Sequence, residues 1–444
     1  MNPYSSYKNS DVEWIGWIPD HWFVGSMKYL LSENNGGVWG GDPDNLDSDV
    51  VVIRSTEITI DGKWNLENPV KRQLSDRDHE KCKLQKDDIV ITKSSGSPDH
   101  IGKSVIVTQE VEDIDCCYSN FVQRIRFERE NSVLYHYILN SYVVRDQYRY
   151  LTHSTTGLGN LSGSTINNVQ LPFIPLQEQQ QISNYLDHKT QQIDSLIEKT
   201  QQKIELLKEQ RTSLINQVVT KGLDSNVEMK DSGIEWIGEI SSEWRVGKLG
   251  YFGSISRGSG YQYLEEVDEN YQGRSEKVIR ISDFREFQPM SCEYHEVFEN
   301  CRVEKNNILI GGTGHYFGNC MFVNQCMKGL IHSYNILRLV IFEQDPKFFL
   351  FQLSSNRIRR QMDLSVLGSG QPFIDIQGLK SLVFLVPPLS EQKQIVDHLD
   401  KETTKIDSTI EKETQRIDLL KEYRQSLISN VVTGKVDVRD EVVV

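Results

Sequence analysis

Apolar residues recur along this chain in two rhythms, and the longer one appears twice. From Leu186 a 4-3 stripe runs through Thr190, Ile193, Ile197, Thr200, Ile204, Leu207, Arg211, Leu214 and Val218. A second starts at Leu399 and continues through Thr403, Ile406, Ile410, Glu413, Ile417, Leu420, Arg424, Leu427 and Val431. A spacing of 3.5 residues keeps one apolar seam facing a partner helix. The stretches that carry the stripes, residues 175–220 and 388–433, align without a gap and share 28 of 46 positions. After the opening Pro neither contains Gly or Pro. At ~1.5 Å per residue each reads as a rod of roughly 60 Å. So narrow a stripe on so long a rod predicts burial against a second helix, not in a globular core. The simplest partner for each copy is the other copy, and a homodimeric zipper is the rival pairing. Arg211 and Arg424 fall on the seam in both copies, as do Thr190 and Thr403. Such residues either fix register at some cost in stability or lie at the seam edge with their tips in solvent.

The second rhythm is short. Val50–Ile53 and Asp88–Ile91 read as buried strands, residues 60–64 (IDGKW) as a hairpin, and residues 104–108 and 120–127 as further strands. Leu134 to Arg149 reads as a helix. Residues 247–387 repeat this plan with weak identity: Lys305–Ile310 echoes Lys86–Ile91, Ser333–Leu339 echoes Ser119–Ile125, and Phe348–Gln361 echoes Tyr135–Gln147. Ahead of each such region stands a tryptophan segment, KNSDVEWIGWIPDHWFVG from Lys8 and KDSGIEWIGEISSEWRVG from Lys230. Tryptophans at this spacing are expected to pin the segment by burial. A repeat of so long a period means two large units, not a solenoid.

The expected organisation is α+β: two strand-rich globular domains separated by two long helices in an antiparallel coiled coil, as a pseudo-two-fold repeat. Its parts are a Trp segment (1–24), a first domain (25–174), a central helix (175–220), a linker with the second Trp segment (221–246), a second domain (247–387), a C-terminal helix (388–433) and a tail without clear structure (434–444). The helices have stayed alike while the domains have drifted. Surfaces kept alike in duplicate suit two copies of one partner, and divergent domains on one plan suit two different ligands.

Composition narrows the classes. With 38% apolar and 25% charged residues the chain is of ordinary globular type. No apolar run is long enough to span a membrane, and the N-terminus has no secretory pattern. Seven cysteines, scattered without CxxC spacing, argue for reduced thiols in a cytoplasm and against a zinc site. The net charge of −14 disfavours strong non-specific nucleic-acid binding. Much of the acidity lies outside residues 247–387, which hold 15 basic and 15 acidic residues. Local basic clusters, Arg357-Ile-Arg359-Arg360 and Arg124-Ile-Arg126, leave room for local contacts.

Three features together resemble the specificity subunit of type I DNA restriction–modification enzymes. They are the Glu-Trp-Ile-Gly segments (Glu13–Gly16, Glu235–Gly238) with their following Trp22 and Trp244, the Pro-Leu-x-Glu-Gln helix starts (Pro175–Gln179, Pro388–Gln392), and the two-fold order. The resemblance covers nearly the whole chain. It implies two target-recognition domains in inverted orientation, each reading half of an asymmetric, interrupted site in double-stranded DNA. It also implies two methyltransferase subunits docked on the helices and two motor–nuclease subunits. S-adenosylmethionine, ATP and magnesium would then belong to those partners, and the chain itself would hold no cofactor or metal and perform no chemistry. One departure is Ile240-Ser241-Ser242 against Ile18-Pro19-Asp20, which is expected to change a local turn.

Candidate DNA contacts are loops rich in small residues and donors. In the first domain they are Arg54, Ser55 and Thr56; Lys93, Ser94, Ser95, His100 and Lys103; and Thr155 and Thr156. In the second they are Arg280, Ser282 and Asp283; Thr313, His315 and Tyr316; and Ser369 and Gln371. Ser, Thr and Lys suit phosphates, while Arg, Gln, Asn and His suit base edges. Each loop could equally be a plain turn. Half-sites ~34 Å apart would let both domains work from one face of the duplex. No Walker A sequence, GxGxxG after a strand, or Asn/Asp-Pro-Pro-Tyr/Phe motif occurs. Asp44 with Asp61 and Lys63 is the nearest nuclease-like grouping. The rival readings are a coiled-coil interaction protein with two ligand- or protein-binding domains, and a fused enzyme acting on DNA alone.

Overall fold

The two stripes become two helices, Leu176–Lys221 and Leu389–Val432, in a computed structural model that describes residues 3–44, 49–152, 160–224, 226–235, 237–366 and 372–441. Each helix begins directly after a Pro, whose missing N–H no helical bond needs. Each stops at a glycine in the left-handed region, Gly222 (φ 75°) and Gly434 (φ 72°). By contacts the chain divides into two units, residues 1–200 with 415–444, and residues 201–414. Each unit therefore holds the first part of one long helix beside the last part of the other.

The seam is self-complementary when read backwards. In the first unit Arg424 Nε donates to Asp194 Oδ1 at 2.9 Å, and in the second Arg211 Nε donates to Asp407 Oδ1 at 2.8 Å. Asp407 is the repeat counterpart of Asp194, and Arg424 that of Arg211. One antiparallel pairing is thus made twice, and the seam arginines set register through ion pairs at its edge. Each such pair, half-exposed, contributes roughly 1 kcal/mol at most. The apolar seam does the rest: Leu186, Ile193, Ile204, Leu399, Ile417 and Leu427 are buried, and Ile197, Leu207, Leu214, Ile406, Ile410 and Leu420 half-buried. Thr403 is buried and bonds the Leu399 carbonyl of its own helix at 2.6 Å, so it costs the seam no unpaired hydroxyl.

Contrary to expectation, the helices are partly swallowed by globular cores. Ile182, Tyr185 and Leu186 share one continuous core with Ile428, Val431, Leu134, Tyr135 and Leu171. Ile215, Val219, Ile395 and Leu399 share another with Trp244, Phe348, Phe349 and Phe384. The stripe widens where a domain covers the helix, which is why Ile215 and Ile428, off the seam, are buried.

Both domains have one topology. The first has a four-stranded antiparallel sheet in the order Leu31–Gly36, Val122–Phe127, Ile89–Thr92, Ser104–Ile106. Beside it lies a three-stranded sheet in which Val50–Ile53 pairs antiparallel with Val70–Arg72 and parallel with Cys117–Tyr118. The second domain repeats this with Gly253–Arg257, Ile336–Ile341, Ile308–Gly311, Cys320–Phe322 and with Met290–Glu293, Ser275–Ile279, Ile331–His332. The stretch from Leu134 to Arg149 is two helices, Ser132–Asn140 and Tyr142–Thr152, broken where Ser141 turns extended and bonds the Ile138 carbonyl. The IDGKW hairpin is a tight turn closed by one bridge, Ile58 to Trp64.

The Trp segments and the helix starts form one joint. Trp22 is fully buried and its indole N–H donates to Glu178 Oε2 at 3.2 Å; Trp244, equally buried, donates to Glu391 Oε2 at 3.0 Å. The next residue grips the chain entering the helix: Gln179 Nε2 donates to the Ile174 carbonyl and Gln392 Nε2 to that of Pro387, both at 2.8 Å. The burial expectation is corrected for the other tryptophans. Trp14 is 36% exposed, tilted against Tyr150, Trp17 is 61% exposed, and Trp236 lies outside the described residues. Pro19 against Ser241 leaves the turn unchanged, because Trp22 N–H bonds the Pro19 carbonyl as Trp244 N–H bonds that of Ser241, both at 2.9 Å. The tail is also more ordered than expected. Val438 is buried in the first core, and Tyr7 donates to the Gly434 carbonyl at 3.1 Å.

Trp244→Ala is expected to destabilise the chain by about 3–5 kcal/mol through the cavity it leaves. Trp244→Phe removes the N–H from a half-buried carboxylate and is expected to cost about 1 kcal/mol of that. Denaturant unfolding of the purified chain measures both, and a Phe variant as stable as the parent would remove the indole bond from this account.

Candidate nucleic-acid interface

In each domain the sheets end in loops that the backbone ties into one edge. In the first, Ser119 N–H bonds the Ile53 carbonyl at 2.8 Å, Lys93 N–H bonds that of Phe121 at 2.9 Å, and Leu161 N–H bonds that of Lys93 at 2.9 Å. The second repeats each bond: Ser333 to Ile279 at 3.1 Å, Gly312 to Asn335 at 2.9 Å, and Ile374 to Gly312 at 3.0 Å. The turns 54–57, 93–95, 119–121 and 160–161 therefore stand together, as do 280–283, 312–316, 333–335 and 373–374.

The first turn of each edge is closed by a buried carboxylate. Glu57 Oε2 accepts from Arg54 N–H at 2.6 Å, and Asp283 Oδ2 from Arg280 N–H at 2.7 Å. Burial alone would raise Glu57, but the bonds from Arg54 and Thr56 outweigh it and hold its pKa below the usual carboxylate value. At Asp283 burial wins over the Arg280 bonds and the pKa is raised. Asp283, only 2% exposed, has its carboxylate bonded to the backbone of its own turn, which corrects its place among the contact candidates. Ser55 is half-buried, and Thr56 and Ser282 are exposed at the same turns. The Arg54 guanidinium lies along Glu57, 2.6 Å from Nη2 to Oε1. That of Arg280 reaches the Gln288 carbonyl at 3.1 Å.

Lys103 is corrected for the same reason. It is 3% exposed, and its Nζ donates to the Ile58 carbonyl at 2.5 Å and to His100 Nδ1 at 3.1 Å. Burial pushes its pKa down to about 8. Lys103 links the first turn to the loop 93–103, and because an ammonium only donates, His100 accepts through Nδ1. Lys93, Ser94 and Ser95 are half-buried on the edge. In the second domain Thr313 bridges to Phe373, His315 is exposed, and Tyr316 meets the His315 ring edge-on at 5.3 Å. Thr155, Thr156, Ser369 and Gln371 lie outside the described residues.

Of the two basic clusters, only the first is turned inward. Arg126 pairs with Asp88 at 2.7 Å and Glu33 at 2.8 Å, and Arg124 with Glu33, so neither is free for a polyanion. In the second cluster Arg357 is half-buried against Gln352, while Arg359, whose Nη1 donates to the Phe317 carbonyl at 2.5 Å, and Arg360 are exposed. Of the nuclease-like grouping, Lys63 is turned onto the long helix and pairs with Asp194 at 2.9 Å. Among the described residues no group of three metal-ligating side chains occurs, and no helix is long and apolar enough to cross a membrane.

Four further residues shape the edges. Phe121 and Tyr334 are large aromatics left half-exposed, at 50% and 44%. Gly37 and Gly258 let the edge strand pass over its neighbour, since a Cβ at either would fall 2.1 Å from a carbonyl oxygen, that of Tyr118 or His332. Gly37 follows Tyr29 by eight residues and Gly258 follows Tyr251 by seven, so spacing in the sequence alone does not align the two glycines.

A family model described as the type I restriction modification DNA specificity domain matches residues 50–206 and 241–422. The chain belongs to that family. Its members recognise DNA sequence for the restriction–modification enzyme, and the family assigns this chain recognition and no catalytic step. The chain is 24% identical over 438 residues to a putative type I restriction enzyme MjaX specificity subunit of Methanocaldococcus jannaschii, covering 96% of each. It is 21% identical over 330 residues to the MjaVIII specificity subunit of the same organism, covering 71% of this chain and 74% of that one. In fold it is similar, with a TM-score of 0.69 at 15% identity, to a chain from a structural study of complex assembly and conformational transition of the type I R-M system, covering 94% of this chain and 99% of the other.

Gly37→Ala and Gly258→Ala are each expected to displace the edge strand and lower the thermal midpoint by several degrees, corresponding to roughly 1–3 kcal/mol of overpacking. Differential scanning calorimetry tests this, and unchanged melting would show that the strand passes with room to spare.

Proposed function

We propose that the specificity subunit reads an asymmetric, interrupted site in double-stranded DNA, one half through residues 25–174 and the other through residues 247–387. The observation that carries this reading is a matched frame with unmatched edges. The two domains share strand order, register and loop bonds, while the side chains on the edge differ at almost every position. Two identical frames with different donors suit two different half-sites better than one repeated target. The rival of a coiled-coil interaction protein has no such use for a shared frame with donor-rich edges.

Membership of the family supports a reading of the partners. Two methyltransferase subunits carrying S-adenosylmethionine would methylate adenine N6, and two motor–nuclease subunits using ATP and magnesium would cut unmodified DNA. The chain would hold none of these cofactors. Outward positions kept alike in both repeats suit the doubled partner. Leu206 and Leu419 occupy the same repeat position and are 64% and 65% exposed. An apolar side chain exposed in duplicate among Lys and Glu fits burial by a second subunit. Replacing both with Glu is expected to weaken methyltransferase docking by about 10-fold or more while leaving the methylated sequence unchanged. Titration of assembly by analytical ultracentrifugation measures this, and unaltered affinity would exclude these leucines from the docking face.

Exchange of residues 25–174 for the equivalent domain of another family member tests the reading itself. Methylome sequencing is expected to show one half of the motif replaced and the other kept, and a change in both halves would refute two independent readers.

A further inference from the structure

The strand registers of the two domains allow their edges to be compared residue by residue. Gln123 pairs with Ile91 on one side and Gly36 on the other; Leu337 pairs with Ile310 and Arg257. Arg257 therefore stands where the first domain has Gly36. Two residues beyond Ile91 and Ile310 lie Lys93 and Gly312, which make the same backbone bond to Phe121 and Asn335. Lys93 therefore stands where the second domain has Gly312. The exchange is reciprocal, cation and glycine on one side, glycine and cation on the other.

These cations fill one notch from opposite walls. A Cβ built on Gly36 would lie 3.6 Å from Lys93 Nζ, so the lysine tip occupies the space that a side chain at the Arg257 position enters first. A Cβ on Gly312 would meet the Asn335 carbonyl at 3.2 Å, which crowds out a side chain on that wall in the second domain. There the Arg257 guanidinium is held 4.8 Å from the Tyr334 ring centre and 5.5 Å from that of Phe373. Attraction to a ring face draws on the charge of the guanidinium and takes up none of its N–H donors as a hydrogen bond to a carboxylate would. Neither Arg257 nor Lys93 forms an ion pair with a carboxylate among the described residues. By contrast, Arg54, Arg124, Arg126 and Arg302 all do. A half-buried cation without an anion, on the edge where four loops meet, calls for an acceptor from outside.

We infer that Arg257 and Lys93 are the base-reading cations of their domains, each donating to guanine N7 and O6 at one G·C pair of its half-site. Arg and Lys match that pair of acceptors in the major groove. A phosphate contact would not need the guanidinium placed against two aromatic rings. The inference rests on the DNA-reading function proposed above, and it adds which residue and which base.

The test uses this chain assembled with its methyltransferase subunits, acting on a library of duplexes randomised across the recognised site. The parent complex is measured first. Absence of any sequence preference there would refute the DNA-reading assignment itself, independently of Arg257. With a bipartite motif in hand, Arg257→Ala is expected to lower discrimination for guanine at one position of one half by roughly 10- to 100-fold and to leave the other half unchanged. Lys93→Ala is expected to do the same in the other half only. Arg257→Gln, of similar length and neutral, guards against misfolding and is expected to shift that position toward adenine. Full discrimination in either Ala variant, a loss uniform across all sequences, or a parent motif lacking G·C in either half would overturn the inference.

Discussion

Two copies of one helix sequence can pair antiparallel only if the seam is complementary to itself read backwards. That condition is met by an acid near one end and a base near the other, each repeated. Asp194 finds Arg424, and Asp407 finds Arg211, at nearly the same distance. The ion pairs are weak in themselves, since both are partly exposed. Their consequence is geometric: a shift of one heptad would break both and bury neither arginine's partner. Everything else in each unit is attached to helices whose pairing is fixed in this way.

The attachment is equally duplicated. A fully buried tryptophan in the segment before each domain bonds the glutamate at the start of each long helix, and the neighbouring glutamine holds the chain that leads into it. Helix, Trp segment and domain core thus become one packed body in each unit. Upon this constant frame the edges are free to vary. Buried Glu57 and Asp283 close matching turns, and Gly37 and Gly258 let matching strands cross, yet one notch is filled by Lys93 and the other by Arg257. Constancy in the frame and difference at the edge are what a recognition subunit with two targets requires.

The long helices, the pseudo-two-fold order and the strand-rich domains were legible in the sequence, because hydrophobic period and gapless identity report directly on which faces are buried. Burial at the helix ends was not legible, since the residues that domains cover there, such as Ile215 and Ile428, sit off the heptad seam. Among the tryptophans the sequence does not separate Trp22, which has a carboxylate to bond, from Trp14, which does not reach one. At the edges the loops were found, but roles within them depended on contacts distant in sequence. Lys103 looks like a phosphate ligand until the Ile58 carbonyl is placed against it, and Asp283 until its turn is seen to close around it. Arg257 and Gly36 carry meaning only once strand register sets them in the same place.

The central claim is that this chain gives DNA-sequence specificity to a methylating complex, and the most direct measurement is the methylome of cells with and without it. Loss of a single interrupted N6-methyladenine motif, restored by supplying the chain again, is the expected result. A methylome unchanged by its removal in cells that retain the methyltransferase subunits would contradict the account.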